Sequence, residues 1–351
     1  MATKFLPAMR ARGHDFAVVT SHSGLDLPDE SEHNGIPVFR FPFHLTLLNR
    51  NLRDMAELQQ RLASLRHNFK PDLVHINSIS PDTFFHLHTA GSNSAPRLVT
   101  MHGLPAMSSS GANNLTGKTL RSAEWVSAVS KDTLNKIREV VPEITPRSSV
   151  IYNGLDIPDV QPGPLPFNPP RLLCVGKLVA HKGFDLALTA FALLIERFPL
   201  LHLIIAGDGP GRSELEKLTS KLGLNDAVEF SGWVAPERIA ELMNLVTLVV
   251  VPSRREHFGL VALQAAQMAR PVVVTRVGGL PEVVVDRQTG LLVESEDSCA
   301  LAGAIAFLLQ HPDVARQLGQ AARIRALDVF TLQRHVDSYE ALYRRIVKEA
   351  A

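Results

Sequence analysis

The segment Val251-Pro-Ser-Arg-Arg-Glu-His-Phe-Gly-Leu260 joins an apolar run to a polar turn and then to helical spacing that starts near Phe258. In an open α/β sheet such a strand-to-helix turn is the ligand edge. There the main-chain N–H groups of Phe258, Gly259 and Leu260, with the helix dipole, can hold a phosphate. Glu256, just ahead of them, is placed to accept hydrogen bonds from sugar hydroxyls; an exposed acid complementing the dipole accounts for it as well. In Val175-Gly-Lys-Leu-Val-Ala-His-Lys-Gly183, Lys177 and Lys182 can neutralise a diphosphate leaving group without a metal, or simply be solvated charges. His102 directly follows a β-branched run, in Thr100-Met-His-Gly-Leu104, a position also open to core and surface histidines. Thr275-Arg-Val-Gly-Gly-Leu-Pro-Glu282 is another strand and glycine turn, whose backbone either approaches a ligand closely or makes a plain turn.

Three apparent motifs carry no chemistry. Gly207-Asp-Gly-Pro-Gly211 has Arg212 where the third glycine of a dinucleotide fingerprint belongs and follows the second strand of its domain, which argues against NAD. Ala112-Asn-Asn-Leu-Thr-Gly-Lys-Thr119 matches a relaxed phosphate-loop pattern, but Met107-Ser-Ser-Ser110 before it is no buried strand, so it reads as a flexible polar loop. His86 and His88 fall on different faces of a helical stretch over 82–90 and do not share a zinc ion. No Asp-x-Asp occurs in the chain, so no carboxylate pair is evident for a divalent metal on a nucleotide diphosphate. Metal independence and the absence of a cofactor are the expectation.

The elements that position these residues follow from periodicity. Short β-branched runs at 16–20, 72–76, 97–101 and 125–129, with helical stretches between several of them, predict a parallel sheet covered by helices. Six prolines over 158–170 predict an interdomain linker. The rhythm restarts with strands at 171–175, 201–206, 245–251 and 271–275 and helices at 183–198 and 210–222; three helical stretches close the chain over 297–350. The expected fold class is α/β, two doubly wound domains facing each other across a cleft, over 1–160 and 161–330. The chain opens on a helix, with Phe5, Leu6 and Met9 at helical spacing and Gly13 at a left-handed cap, where such a domain ordinarily opens on a strand.

The 351 residues suit two domains. Lysine plus arginine total 36 against 35 aspartate plus glutamate, with 45% apolar and 20% charged residues, which excludes a mainly disordered chain and argues against a dedicated nucleic-acid binder. Cys174 and Cys299 read as two buried thiols in a reducing compartment. No apolar run nears the ~20 residues that span a bilayer, and the opening residues hold no signal-peptide apolar region, so the expected location is the cytoplasm, with the inner face of the membrane as a variant.

Together these segments resemble the two-Rossmann-domain (GT-B) retaining glycosyltransferases of the GT4 group. The resemblance runs from about Arg10 to the C-terminus. Its carriers are Gly176-Lys-Leu-Val-Ala-His-Lys-Gly183, Ala206-Gly-Asp-Gly-Pro210, Phe230-Ser-Gly232, Glu256-His-Phe-Gly-Leu260 and Gly278-Gly-Leu-Pro-Glu282, with Asp72-Leu-Val-His75, His102-Gly103, Val129-Ser130 and Ile151-Tyr-Asn-Gly154 in the first half. The resemblance implies a nucleotide-diphosphate sugar donor held by the second domain at Gly176, Lys177, Lys182 and Gly207. Glu256 would meet the sugar hydroxyls, with the Phe258, Gly259 and Leu260 main chain assisting, and His102 would reach the same sugar from the first domain. His102, Lys182 and Glu256 are the catalytic candidates, the C-terminal helix 331–351 is expected to pack back on the first domain, and transfer would proceed with retention.

Three positions depart from the family's pattern. Lys177 stands where arginine is commoner, and it keeps the charge but not the bidentate fork. Gln264 replaces a second glutamate facing the ribose, which removes a charge-assisted hydrogen bond. The first strand, its glycine-rich loop and half a helix are absent, which would leave neighbouring strands with unpaired edges and weaken or abolish transfer, and would open a route to oligomers through the incomplete sheet. A crippled relative that binds a nucleotide sugar or a partner without turnover, and a sugar-nucleotide epimerase, are the alternatives; the latter needs carboxylates beyond Glu256 and Glu282. The acceptor, whether sugar, lipid or small molecule, is not readable. Phe39-Arg-Phe-Pro-Phe43 with Leu45, Leu47, Leu48 and Arg50 reads as a buried strand and its loop, with peripheral membrane contact as the second reading.

Overall fold

The computed structural model describes residues 2–22, 25–89, 95–104 and 114–350. The chain falls into two units, Met1–Ile151 with His335–Ala351, and Tyr152–Arg334. The proline passage, residues 158–170, lies in the second unit, and the carbonyls of Gly163 and Pro164 within it are bound by a buried arginine. Arg270, fully buried, donates from Nε to the Met268 carbonyl (3.0 Å), from Nη1 to those of Pro164 (3.3 Å) and Val246 (3.1 Å), and from Nη2 to that of Gly163 and to Asn244 Oδ1 (3.2 Å). Burial lowers its pKa to about 10, which still leaves it charged at neutral pH.

The first unit opens on α1 (Ala2–Arg10), and Gly13 takes φ 88° at the turn that follows. Next come β1 (Val18–Ser21), β2 (Glu30–His33), β3 (Ile36–Phe41), α2 (Phe43–Asn49), α3 (Leu52–Phe69) and β4 (Val74–Ile76). The unit continues through α4 (Pro81–His88), β5 (Arg97–Met101), α5 (Leu115–Arg121), β6 (Trp125–Ala128), α6 (Lys131–Val140) and β7 (Ser148–Val150). Its strands form two sheets, β1-β3-β2 and β4-β5-β6-β7, the second wholly parallel. The first contains an antiparallel hairpin β2–β3 turning on Asn34 and Gly35, both at positive φ. Among the described residues β1 and β4 each have one neighbour, and a cavity of about 1080 Å³ borders both strands. The segment expected to be a polar loop with Lys118 is instead helical over Leu115–Arg121, capped by Asn114 Oδ1; residues 105–113 lie outside the described set. The aromatic run divides: Phe41 and Phe43 are buried against Leu58, Leu62 and Phe85, while Leu45 and Leu48 are exposed.

The second unit is β8 (Arg171–Val175), α7 (Phe184–Ala192), β9 (His202–Ala206), α8 (Arg212–Lys221), β10 (Val228–Gly232) and α9 (Ile239–Asn244). Then follow β11 (Leu248–Val251), α10 (Leu260–Gln267), β12 (Val272–Thr275), α11 (Leu280–Val283), β13 (Leu291–Val293), α12 (Ser298–Gln310) and α13 (Pro312–Val329). Its sheet is wholly parallel in the order β10-β9-β8-β11-β12-β13, the doubly wound order whose direction reverses between β8 and β11. The central strands β11 and β12 are fully buried, as their unbroken apolar runs require. Of the two thiols expected buried, Cys174 on β8 is, but Cys299 is exposed, because it falls on the solvent face of the first turn of α12.

The last helix, α14 (Leu332–Ala350), buries His335, Val336, Tyr339, Leu342, Tyr343 and Ile346, a stripe at three- and four-residue spacing, and packs with the first unit. Its hydroxyls close a network across β4, β5 and β6. His75 bonds Tyr343 Oη through Nδ1 (2.6 Å) and Thr100 Oγ1 through Nε2 (2.7 Å), and Thr100 in turn bonds Ser127 Oγ (2.6 Å) and Tyr339 Oη (3.0 Å). No helix among the described residues is long and apolar enough to cross a membrane.

Two expectations follow. Arg270→Lys supplies three donors without the planar fork, strands buried carbonyls and lowers unfolding stability by about 3 kcal/mol in urea titration. Burial lowers the His75 pKa to about 3, below the ~6.5 of an unfolded chain. The neutral form's contribution is therefore complete above about pH 6.5 and is lost as pH falls toward 3, so the melting temperature drops between pH 7 and 4, and His75→Gln flattens that drop.

Candidate functional site

At the point where the strand order reverses, the loops after β8 and β11 lie side by side at the C-terminal edge of the sheet, the ligand edge of a doubly wound fold. The loop after β8 carries Gly176, Lys177 and, in the 3₁₀ turn Ala180–Lys182, the second lysine. The loop after β11 carries Glu256. The two meet: Lys182 Nζ donates to Glu256 Oε2 at 2.6 Å, with both side chains mostly buried (24% and 16% exposed). Lys177 is exposed.

Main-chain contacts hold these loops. Arg254 N donates to the His181 carbonyl at 2.8 Å, and a Cβ on Gly183 would overlap the Pro252 carbonyl. On the other side Gly279 N donates to the Glu256 carbonyl at 3.1 Å, and a Cβ on Gly278, which sits at φ 54°, would overlap that same carbonyl. The close approach suspected of the Gly278-Gly279 turn is thus made to the Glu256 loop. Gly207 behaves alike: its N donates to the Gly232 carbonyl (2.7 Å), and a Cβ there would overlap the Gly176 carbonyl. The Gly-x-Gly-x-Gly run after β9 therefore packs on the β8 loop through Leu178, whose N reaches the Asp208 carbonyl and whose carbonyl accepts from Gly211 N, both at 2.9 Å.

The helix expected to start near Phe258 starts at Leu260, because Gly259 takes a left-handed φ of 110° at its N-cap. No side chain caps that end, so its N–H groups point outward with the helix dipole. Phe258 contributes main chain only, since its ring is buried against Tyr152 (6.1 Å) and Phe330 (5.8 Å). Gln264 lies one turn further along α10, half-buried. Glu282 accepts from Tyr152, whose pKa burial and that carboxylate raise to about 12.

Four groups escaped the sequence reading. Ser253 Oγ is buried without a hydrogen-bond partner among the described residues. Asp185 and Glu296 both bind Arg254, which sits two residues before Glu256. Two charges so close to a candidate acid were the one available signal, and neither partner is near in sequence.

His102 belongs to the first unit, where it follows β5 as expected. Its Nε2 bonds Asn77 Oδ1 at 2.8 Å, and burial lowers its pKa, so it is neutral at pH 7. His86 is half-buried and bonded to the buried Arg66, and His88 is exposed on its own helix's Phe84 carbonyl, so the two do face apart. Among the described residues no three His, Cys, Asp or Glu side chains group as a metal site would.

Comparison with known proteins gives the same outline. Over 177 residues the chain is 34% identical to an alpha-D-kanosaminyltransferase of Streptomyces kanamyceticus, and over 195 residues 36% identical to a D-inositol 3-phosphate glycosyltransferase of Acidothermus cellulolyticus. These matches take in 50% and 53% of this chain but 46% and 43% of the relatives, so the chain spans less than half the length of either. A sucrose-phosphate synthase structure from Thermosynechococcus elongatus superposes with a TM-score of 0.84 at 24% identity, covering 99% of this chain and 92% of that one. Anabaena HepE in complex with UDP and glucose superposes at 0.72, with 22% identity, over 88% and 86%. Both are likenesses of fold, two Rossmann-like domains of the GT-B kind. Residues 2–158 match the family model for glycosyltransferase family 4 and residues 159–325 that for glycosyl transferases group 1, and the chain belongs to this glycosyltransferase family.

Proposed function

We propose that this protein transfers a glycosyl group from a nucleotide-diphosphate sugar to an acceptor hydroxyl, with retention of configuration and without a metal, and that the second unit holds the donor. The observation that carries this reading is the Lys182–Glu256 pair beside the uncapped start of α10, at the switch point of the sheet. A cation and outward N–H groups suit a diphosphate, and a carboxylate suits sugar hydroxyls. The transferase names of the relatives support it, and the UDP and UDP-glucose complexes of HepE support a nucleotide-sugar donor.

In this mechanism the bond from the anomeric carbon to the diphosphate oxygen breaks as the acceptor oxygen attacks from the same face, and the acceptor proton passes to the departing phosphate oxygen. Lys182, shifting from Glu256 toward the phosphate, offsets the charge that develops there, and Lys177, free to swing in, adds a second cation. Glu256, released, accepts from the sugar hydroxyls and fixes the ring's orientation. Gln264 meets the ribose as an amide.

The second reading, a protein that binds a nucleotide sugar without turnover, is favoured by one observation: the first unit's sheet is in two pieces, with the edges of β1 and β4 unpaired beside a shared cavity.

A thermal-shift screen of UDP-, GDP- and ADP-sugars is expected to raise the melting temperature with one base, since binding to the folded state stabilises it by mass action, and release of that nucleotide diphosphate with an acceptor present separates transfer from binding alone. No shift with any nucleotide sugar refutes the donor site. Gln264→Glu is expected to tighten the donor by roughly 1 kcal/mol, about fivefold in the dissociation constant; an unchanged constant removes Gln264 from the ribose.

A further inference from the structure

We propose that Arg254 is the positioning residue of the donor site, a clamp that sets where Lys182 and Glu256 stand and touches no ligand itself; this rests on the donor reading above. All five guanidinium N–H donors are taken. Nε donates to Glu296 Oε1 (2.5 Å), Nη1 to the Ala180 carbonyl (2.9 Å) and Asp185 Oδ1 (2.7 Å), and Nη2 to Asp185 Oδ2 (2.8 Å) and Glu296 Oε2 (3.1 Å). A guanidinium has no sixth donor, so Arg254 has nothing left for a phosphate.

What it holds is specific. Ala180 begins the 3₁₀ turn that ends in Lys182, and Asp185 stands in the first turn of α7 just beyond it. The main chain of Arg254 binds the same turn at the His181 carbonyl, so the lysine loop is gripped by backbone and side chain together. Glu296 comes from the β13–α12 connection and takes φ 65°, a left-handed conformation that a non-glycine residue adopts only when its surroundings hold it there. Three connections thus converge on one planar group two residues from Glu256. Asp185 and Glu296 are 43% and 59% exposed, a setting in which ion pairs add little to global stability, so the consequence of this fork lies in local geometry. Lysine cannot substitute, because an ammonium cannot meet two carboxylates in one plane.

Calorimetric titration with inorganic pyrophosphate and with UDP, at fixed ionic strength, tests this on the wild type, Arg254→Ala, Arg254→Lys, Lys182→Ala and the Arg254→Ala/Lys182→Ala double variant. Each single alanine variant is expected to weaken pyrophosphate by about tenfold, Arg254→Lys to restore little, and Arg254→Ala to add less than about twofold once Lys182 is gone, because the clamp acts through that lysine. Equal losses in both backgrounds, or no loss, overturn the clamp. If Lys182→Ala binds both probes as the wild type does, the donor reading falls; if Lys182→Ala is weakened and Arg254→Ala is not, only the clamp falls. Should Arg254→Ala not fold, Glu296→Gln keeps the shape while removing one charge, and it is expected to lose about threefold, again only when Lys182 is present; an unaffected affinity overturns the clamp.

Discussion

The second unit's site depends on one constraint: the main chain of residues 252–258 runs between two other loops with no room for a side chain on either side. Pro252 meets Gly183, and the Glu256 carbonyl meets Gly278 while accepting from Gly279 N. These contacts are backbone to backbone, so they fix the Cα of Glu256 before any charge is considered. Lys182 and Glu256 then meet at 2.6 Å because their loops are already adjacent, and the ion pair follows from the packing and does not create it. The loop backbones are thus placed on folding, when their ordering entropy was offset by the buried strands beneath them, and only the Lys182 and Glu256 side chains have to part to meet a ligand.

This constraint also explains why glycine-rich strand-to-helix turns are ambiguous in a sequence. A missing Cβ lets backbone approach a ligand or another loop, and sequence alone does not distinguish the two. Here Gly207 and Gly278 serve loop-on-loop contact, while Gly259 makes none with these loops' backbone and its left-handed N-cap leaves the first N–H groups of α10 without a side-chain cap. The run Gly207-Asp-Gly-Pro-Gly211 resembles a dinucleotide fingerprint for a physical reason: both uses need a turn that another backbone can touch.

What was legible follows from burial. Strands flanked on both sides, such as β8, β9, β11 and β12, carry unbroken apolar runs of three or four residues and stand out in the sequence. Those that left no signal, β2, β7, β10 and β13, all lie at sheet edges, where a strand has one neighbour and is short or polar. The hairpin at Asn34-Gly35 carried the strongest turn signal in the first unit, yet β2 reads Glu-Ser-Glu-His and offers no apolar alternation to pair with it. In the candidate site, Lys182 and Glu256 were singled out by residue type and place, though their ion pair was not. Arg254 was not, because its meaning lies in Asp185 and Glu296, 69 and 42 positions away.

The two units solve the same problem unequally. In the second, one hydrogen-bonded ladder of six strands carries every site loop, so displacing one strand disturbs its neighbours. In the first, among the described residues, no ladder joins β1 to β4, and the two sheets are tied by side chains instead. Phe5 of α1 lies edge-on to His335 and Tyr339 of α14 at 5.4 Å, Arg12 binds Asp337 (2.6 Å) and Glu340 (2.5 Å), and Phe43 bridges Phe41 and Phe85. The Arg12–Glu340 pair is mostly buried (23% and 15% exposed) and shares that joint with the aromatic contacts and the His75–Tyr343 network. His102 stands beside it, on the loop after β5 and hydrogen-bonded to the loop after β4. Its position is therefore only as firm as the half-open sheet beneath it, whereas Lys182 and Glu256 rest on a closed one.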